Sequence, residues 1–242
     1  MIICHSRRLI FIKTRKTAGS SIEIALSRLC DDNDIVTKLS VERGEEDLRK
    51  AEGGNGPVNH LKGLREYCTL KEWRRLLLKG KRAERPEHAT AAEVRQLVGE
   101  DLWNNYLKVT VERNPWDRAL SRYWWQKQRW EEKGRDNFPG LSDYLEWLKQ
   151  NKPHWLTNWG HYSIGESVAV DKVLFYESLG KDLSELAGAL GVNPELMSLP
   201  KKRAKSGFRT DDRDYETVLS EKDRKLIEDI CAKEIREFGY EF

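Results

Sequence analysis

Lys13-Thr14-Arg15-Lys16-Thr17-Ala18-Gly19-Ser20-Ser21 follows directly on the apolar run Leu9 to Ile12. A strand, a short basic turn and a helix start are expected in that order. A helix N-terminus offers backbone N–H groups without intrahelical partners and the positive end of the dipole, which together make a site for a phosphate-like anion. Arg15 and Lys16 add formal charge, and Gly19 lets a ligand approach the backbone. Ser20 and Ser21 can cap the helix and donate to the anion. The bland reading is a capped helix beside a solvated charge run. The nucleotide loop of P-loop enzymes has a different spacing, with its lysine after two glycines and a Ser or Thr next to hold magnesium. Here Lys16 precedes Gly19, which weakens a kinase or ATPase reading.

A second segment has the same logic. Leu107, Val109 and Val111 alternate with polar residues at the period of a strand, and Arg113 stands at its end. Asn114 is a good N-cap and Pro115 a good first helical residue. Ser121 lies two turns into that helix, on the face shared with Asn114 and Arg118. An arginine and a serine so placed can hold a second phosphate.

Together, Lys16-Thr17-Ala18-Gly19-Ser20-Ser21 and Arg113-Asn114-Pro115-Trp116-Asp117-Arg118-Ala119-Leu120-Ser121 resemble the two cofactor motifs of sulfotransferases that use PAPS, 3′-phosphoadenosine 5′-phosphosulfate. The likeness is greatest to the carbohydrate-type, glycan 2-O-sulfotransferase-like branch and its small soluble bacterial relatives. Val173-Leu174-Phe175-Tyr176-Glu177-Ser178-Leu179 and the ending Ile235 to Phe242 are similar to that branch as well. The likeness is thin over residues 37–85. Arg15 departs from the proline that many relatives carry. The resemblance implies that Lys16, Thr17, Ala18, Gly19, Ser20 and Ser21 hold the 5′-phosphosulfate, where Arg15 is expected to add charge. It implies that Arg113 and Ser121 hold the 3′-phosphate. The Lys201 to Arg209 segment resembles a late capping loop, in which Lys205 and Arg209 are the candidate contacts.

The implied chemistry is sulfuryl transfer, which leaves PAP, 3′-phosphoadenosine 5′-phosphate. It needs charge stabilisation on the leaving phosphate, assigned to Lys16, and a base for the acceptor. Histidine suits that base because its pKa lies near neutrality. His88 occupies a place similar to the catalytic histidine of the 2-O-sulfotransferase relatives, upstream of the second motif. His60, His161, Glu87 and Glu23 are the alternatives. The scheme needs no metal. Two other classes stay open: a P-loop kinase, and a non-catalytic nucleotide-binding module.

Composition narrows the partners. Lys and Arg total 43 against 40 Asp and Glu, a net charge of +3, which disfavours nucleic acid. Four widely spaced cysteines form no zinc pattern and no disulfide framework, and read as reduced thiols. No apolar run approaches the ~18 residues of a membrane span. Residues 1–13 do not read as a cleaved signal, because Arg7 and Arg8 interrupt them. A cytoplasmic protein is expected. Nine tryptophans are many, and six fall between Trp124 and Trp159. Trp124 and Trp125 suit core packing beneath the second motif. Trp155 and Trp159, with His154 and His161, suit an acceptor wall. The expected acceptor is a hydroxyl on a sugar or glycolipid headgroup; the oxygen or nitrogen of a small natural product is the runner-up.

These segments must be positioned by an α/β fold, a P-loop-like three-layer arrangement with a mainly parallel sheet and helices on both faces. One domain over residues 1–242 is expected, with variable acceptor loops at about 40–88 and 126–170. Strands are expected at Ile2–Cys4, Leu9–Ile12, Ile35–Leu39, Leu107–Val111 and Lys172–Tyr176. Helices are expected at Ser20–Leu29, Leu70–Lys79, from Thr90 to about Val98, after Asn114, and at Leu141–Gln150, Leu183–Leu190 and Ser220–Phe238.

Overall fold

The computed structural model describes residues 1–200 and 213–242. Its centre is a five-stranded sheet in the order β3-β1-β2-β4-β7. The strands are β1 (Ile2–Cys4), β2 (Leu9–Ile12), β3 (Ile35–Val36), β4 (Leu107–Glu112) and β7 (Lys172–Phe175); β5 (Ser163–Ile164) and β6 (Ser167–Val168) form a separate ribbon. The first two strands form an antiparallel hairpin, and β1 is also antiparallel to β3. By contrast, β2, β4 and β7 run parallel. The sheet is therefore mixed, where a mainly parallel one was expected. Its parallel half carries both motifs.

The helices are α1 (Gly19–Ser27), α2 (Glu45–Ala51), α3 (Leu70–Lys79), α4 (Ala91–Asn105), α5 (Pro115–Glu131), α6 (Leu141–Asn151), α7 (Trp159–Tyr162), α8 (Leu179–Ala189), α9 (Tyr215–Val218), α10 (Glu221–Ile230) and α11 (Ala232–Phe238). Alternation of side chains along the strands assigns the packing. Leu9 and Phe11 of β2, with Val109 and Val111 of β4, pack against Ile22 and Leu26 of α1 and Leu183 and Leu186 of α8. Ile10 and Ile12 turn the other way, onto Ala91 and Val94 of α4 and Trp103. A further cluster joins α5, α6 and α10 through Trp116, Leu145, Leu148 and Ile227.

Several boundaries differ from the sequence expectation for local reasons. The third strand stops at Val36 because β1 offers only Ile2 and Ile3 for pairing. Helix α2 has almost no apolar periodicity; Glu45, Glu46 and Asp47 in its first turn and Arg49 and Lys50 in its last suit the dipole. Past Val98, α4 is interrupted at Gly99 (φ 80°) and then continues to Asn105. The expected single C-terminal helix is two, broken at Cys231, whose thiol donates to the Leu156 carbonyl.

Parallel pairing of Ile12 with Thr110 sets the ends of β2 and β4 side by side. The turn after each strand leaves from the same edge of the sheet, where ligands of α/β folds bind.

Candidate functional site

The turn from Lys13 to Gly19 is built on strained backbone. Lys16 (φ 63°) and Ala18 (φ 62°) are both left-handed without being glycine. Such residues cost of order 1 kcal/mol each and persist where surrounding contacts impose them. Ala18 is the N-cap of α1 and gives it no side-chain cap. The first intrahelical bond is that of the Ile22 amide, so the Gly19 and Ser20 amides precede it at the helix mouth. Ser20 and Ser21 lie inside the helix, not at its cap as the sequence suggested; the Ser20 hydroxyl donates to Glu45 Oε2 (3.2 Å).

Gly19 has a second reason to be glycine. A Cβ there would stand 2.7 Å from Lys13 Cγ and 3.3 Å from the Thr14 carbonyl oxygen. The lysine stem occupies the space that ligand approach alone would have explained. Lys13 is buried, with its ammonium 2.8 Å from Glu23 Oε2 and 2.7 Å from Glu87 Oε2. Thr17 faces inward, its hydroxyl 2.8 Å from that of Thr14.

At the end of β4, Asn114 caps α5 by accepting from the Trp116 and Asp117 amides. Arg113 donates from Nε to Asp117 Oδ2 (2.8 Å) and from Nη1 to the Lys16 carbonyl (3.0 Å), and lies 3.9 Å from the Tyr176 ring centroid. Its Nη2 is 2.6 Å from Asp117 Oδ2. Among the described residues, three of the five N–H groups of the guanidinium face these partners and two do not. Arg118 is not part of this site. It is buried, ion-paired with Glu112 and Glu234, and donates to the Leu156 carbonyl.

Both turns open into one cleft of about 1540 Å³. Arg15, Lys16, Ala18, Gly19, Ser20, Ser21, His88, Arg113 and Ser121 all line it. Thr17 does not, and Lys205 and Arg209 lie outside the described residues.

His88 is held for one role. A carbonyl can only accept, so the 3.1 Å contact of Nδ1 with the Lys13 carbonyl fixes the proton on Nδ1 and leaves Nε2 as the basic nitrogen. Glu87 Oε1 lies 3.7 Å from that Nε2. Burial, then the neighbouring Lys13 charge, pull the imidazole down to about 2, so it is neutral at neutral pH. His161 is buried 6.0 Å away, ring to ring, and burial lowers it to about 4. Glu87 lines the cleft; Glu23 is fully buried beneath it, and His60 and His161 are not among the lining residues.

The sequence reading set Trp155 at an acceptor wall but Trp124 and Trp125 in the core, and did not anticipate the arginines that join all three at the cleft. Arg43, Arg122 and Arg129 lie 4.9, 5.5 and 5.2 Å from the Trp125 ring centroid, and Lys16 Nζ 5.3 Å from it. Arg122 is 7 % exposed and stacks 4.1 Å from Trp155, and no carboxylate pairs with it among the described residues. A buried charge without a counter-ion suits an anion. Trp124, Trp125 and Trp155 line the cleft, whereas Trp159 and His154 do not. The signal was present as helical spacing: Ser121 and Trp125 are one turn apart on α5.

Cys4, Cys30 and Asp34 also bring metal-ligating atoms within 4.8 Å of one another, in the core. Both Asp34 oxygens already accept backbone amides, from His5 (2.6 Å) and Asp31 (2.8 Å). Hydrogen bonding between the two thiols pushes Cys30 upward, away from the thiolate a metal needs, and Cys4 downward, toward it.

A family profile described as "Sulfotransferase family" matches residues 1–241. An uncharacterized protein of Archaeoglobus fulgidus is 33 % identical over 106 residues, 43 % of this chain and 82 % of that protein. Among solved structures, a sulfotransferase from Alicyclobacillus acidocaldarius is similar with a TM-score of 0.44 and 17 % identity, over 97 % of this chain and 96 % of that one.

Proposed function

Because the chain belongs to the sulfotransferase family, we propose that it moves the sulfuryl group of PAPS to a hydroxyl on a sugar or glycolipid, in the manner of the glycan 2-O branch. The observation that carries this reading is the joining of the two anion-binding turns, Lys16 to Ser21 and Arg113 to Ser121, in one cleft. PAPS offers two anionic ends, and the cleft has two anion-holding elements. The left-handed turn with the Gly19 and Ser20 amides fits the phosphosulfate. The guanidinium of Arg113, with the Ser121 hydroxyl, fits the 3′-phosphate.

PAPS supplies an activated sulfuryl group when bound. Lys16 and the helix mouth of α1 stabilise charge on the phosphate that remains. His88 Nε2 takes the acceptor proton; burial and Lys13 make it a weak base by themselves, and the Glu87 carboxylate 3.7 Å away opposes them by stabilising the imidazolium that results. The wall of Arg122, Trp125 and Trp155 orients the acceptor. Residues 1–242 act as one domain in this reading, and the free cysteines fit a reducing, cytoplasmic setting. A small natural product is the second acceptor class, favoured by the apolar rings of Trp124 and Trp125 in the cleft.

The first test is the melting midpoint with PAP, ADP and ATP, with and without magnesium. A ligand at about 100 times its Kd adds about 2.7 kcal/mol to the folded state. A PAP-specific shift independent of magnesium is the expected result. A shift only with ATP and magnesium would return the kinase reading. PAP binding without turnover on any acceptor would leave a nucleotide-binding module.

A further inference from the structure

Helix α3 stands outside everything the cleft requires, and none of its ten residues is buried. Leu70, Leu77 and Leu78 are 77, 78 and 73 % exposed, and Trp73 is 39 % exposed. At 100° per residue, Leu70, Trp73 and Leu77 form one stripe, with Leu78 at its margin. Arg74 falls between Leu70 and Leu78, Lys71 lies beside Leu78, and Arg75 and Lys79 lie farther round the helix; all are exposed, and none is ion-paired among the described residues. The one acid of the helix, Glu72, is turned away; it accepts from Lys62 Nζ (2.7 Å) and closes the capping box with Thr69.

The helix is also preorganised. Thr69 caps its start, Gly80 (φ 60°) ends it, and Trp73 packs edge-on against Tyr67 with centroids 5.1 Å apart. Docking it costs little ordering. Two copies meeting on this stripe would bring basic rims together, which disfavours self-association. Nucleic acid would use the rim but not the leucines. An anionic bilayer uses both.

We infer that α3 lies in the surface of an anionic lipid bilayer, its leucines at the boundary of headgroup and acyl chain and its basic side chains among the phosphates. Eight residues beyond the end of α3 at Lys79 the chain reaches Glu87 and then His88, so the docked helix is tethered to the cleft by a short segment. This inference does not depend on the sulfuryl-transfer reading.

The experiment is co-sedimentation of the full chain with vesicles of phosphatidylcholine alone and of phosphatidylcholine mixed with phosphatidylserine. Partitioning should be at least about tenfold stronger onto the mixed vesicles and should weaken with salt. Arg74→Gln with Arg75→Gln should reduce it roughly 25-fold, at about fivefold per basic residue lost. Leu77→Ser with Leu78→Ser should reduce it by a similar factor, and both double variants should melt as the parent does, since the side chains are exposed. No sedimentation with either vesicle, equal sedimentation with both, or variants that bind like the parent would overturn the inference. So would a dimer dissolved by the leucine changes without vesicle binding, which would make a second copy the occupant.

Discussion

Arg113 and Lys16 are 97 residues apart, yet the Arg113 Nη1 donates to the Lys16 carbonyl at 3.0 Å. One guanidinium thus braces the left-handed turn of the first motif while it stacks on Tyr176 and pairs with Asp117. The two halves of the cleft are mechanically one unit. Loss of the arginine should disturb both.

Arg113→Ala should weaken PAP binding about 10- to 100-fold, the worth of hydrogen bonds to a charged group. A nucleotide lacking the 3′-phosphate, adenosine 5′-phosphosulfate, should lose less, its deficit reporting only the loosened Lys16 turn. Isothermal titration with both ligands separates the two effects. Equal losses would remove the 3′-phosphate assignment.

His88→Ala should lower turnover by about 10²–10⁴ while PAP affinity is unchanged, because the imidazole acts on the acceptor side. Glu87→Gln should lower turnover less, since it removes the charge opposite Nε2 but leaves the nitrogen. Retained turnover in His88→Ala would hand the role of base to Glu87.

Gly19→Ala should destabilise the fold by about 1–3 kcal/mol, the usual cost of overpacking. The clash falls on Lys13 Cγ, near the base of a side chain fixed at its far end by two carboxylates. Urea denaturation measures it. An unchanged midpoint would mean that the lysine stem moves freely.

Acid should destabilise the protein through two histidines. Each is neutral when folded and titrates at 6.5 when unfolded, so the unfolded chain binds more protons below that pH. Their contribution is complete above pH 6.5 and is lost as pH falls, both acting down to about 4 and His88 alone down to about 2. The slope is up to about 1.4 kcal/mol per pH unit for each group. His161→Asn should flatten the dependence of urea stability on pH between 6.5 and about 4; an unchanged slope would place His161 in water.

Local rules were legible in the chain. The all-apolar run Leu9–Ile12, the alternation of Leu107, Val109 and Val111, the Asn114-Pro115 start and the Thr90 capping box each write a strand or helix end into a few adjacent residues. The two turns that follow β2 and β4 were legible for the same reason, since strand, turn and helix start are contiguous. Helix α2 was not, because a charged segment with little apolar periodicity gives no signal until Arg49 is buried against the Thr37 carbonyl.

Tertiary structure alone decided what meets what. That Lys13 fills the gap at Gly19, that its carbonyl fixes the proton of His88, and that Arg122 is buried between Trp125 and Trp155 all depend on contacts across many residues of chain. Sequence periodicity reports which face of an element is apolar. It carries no distance between elements, and the parallel register of β2 with β4 sets that distance at the cleft.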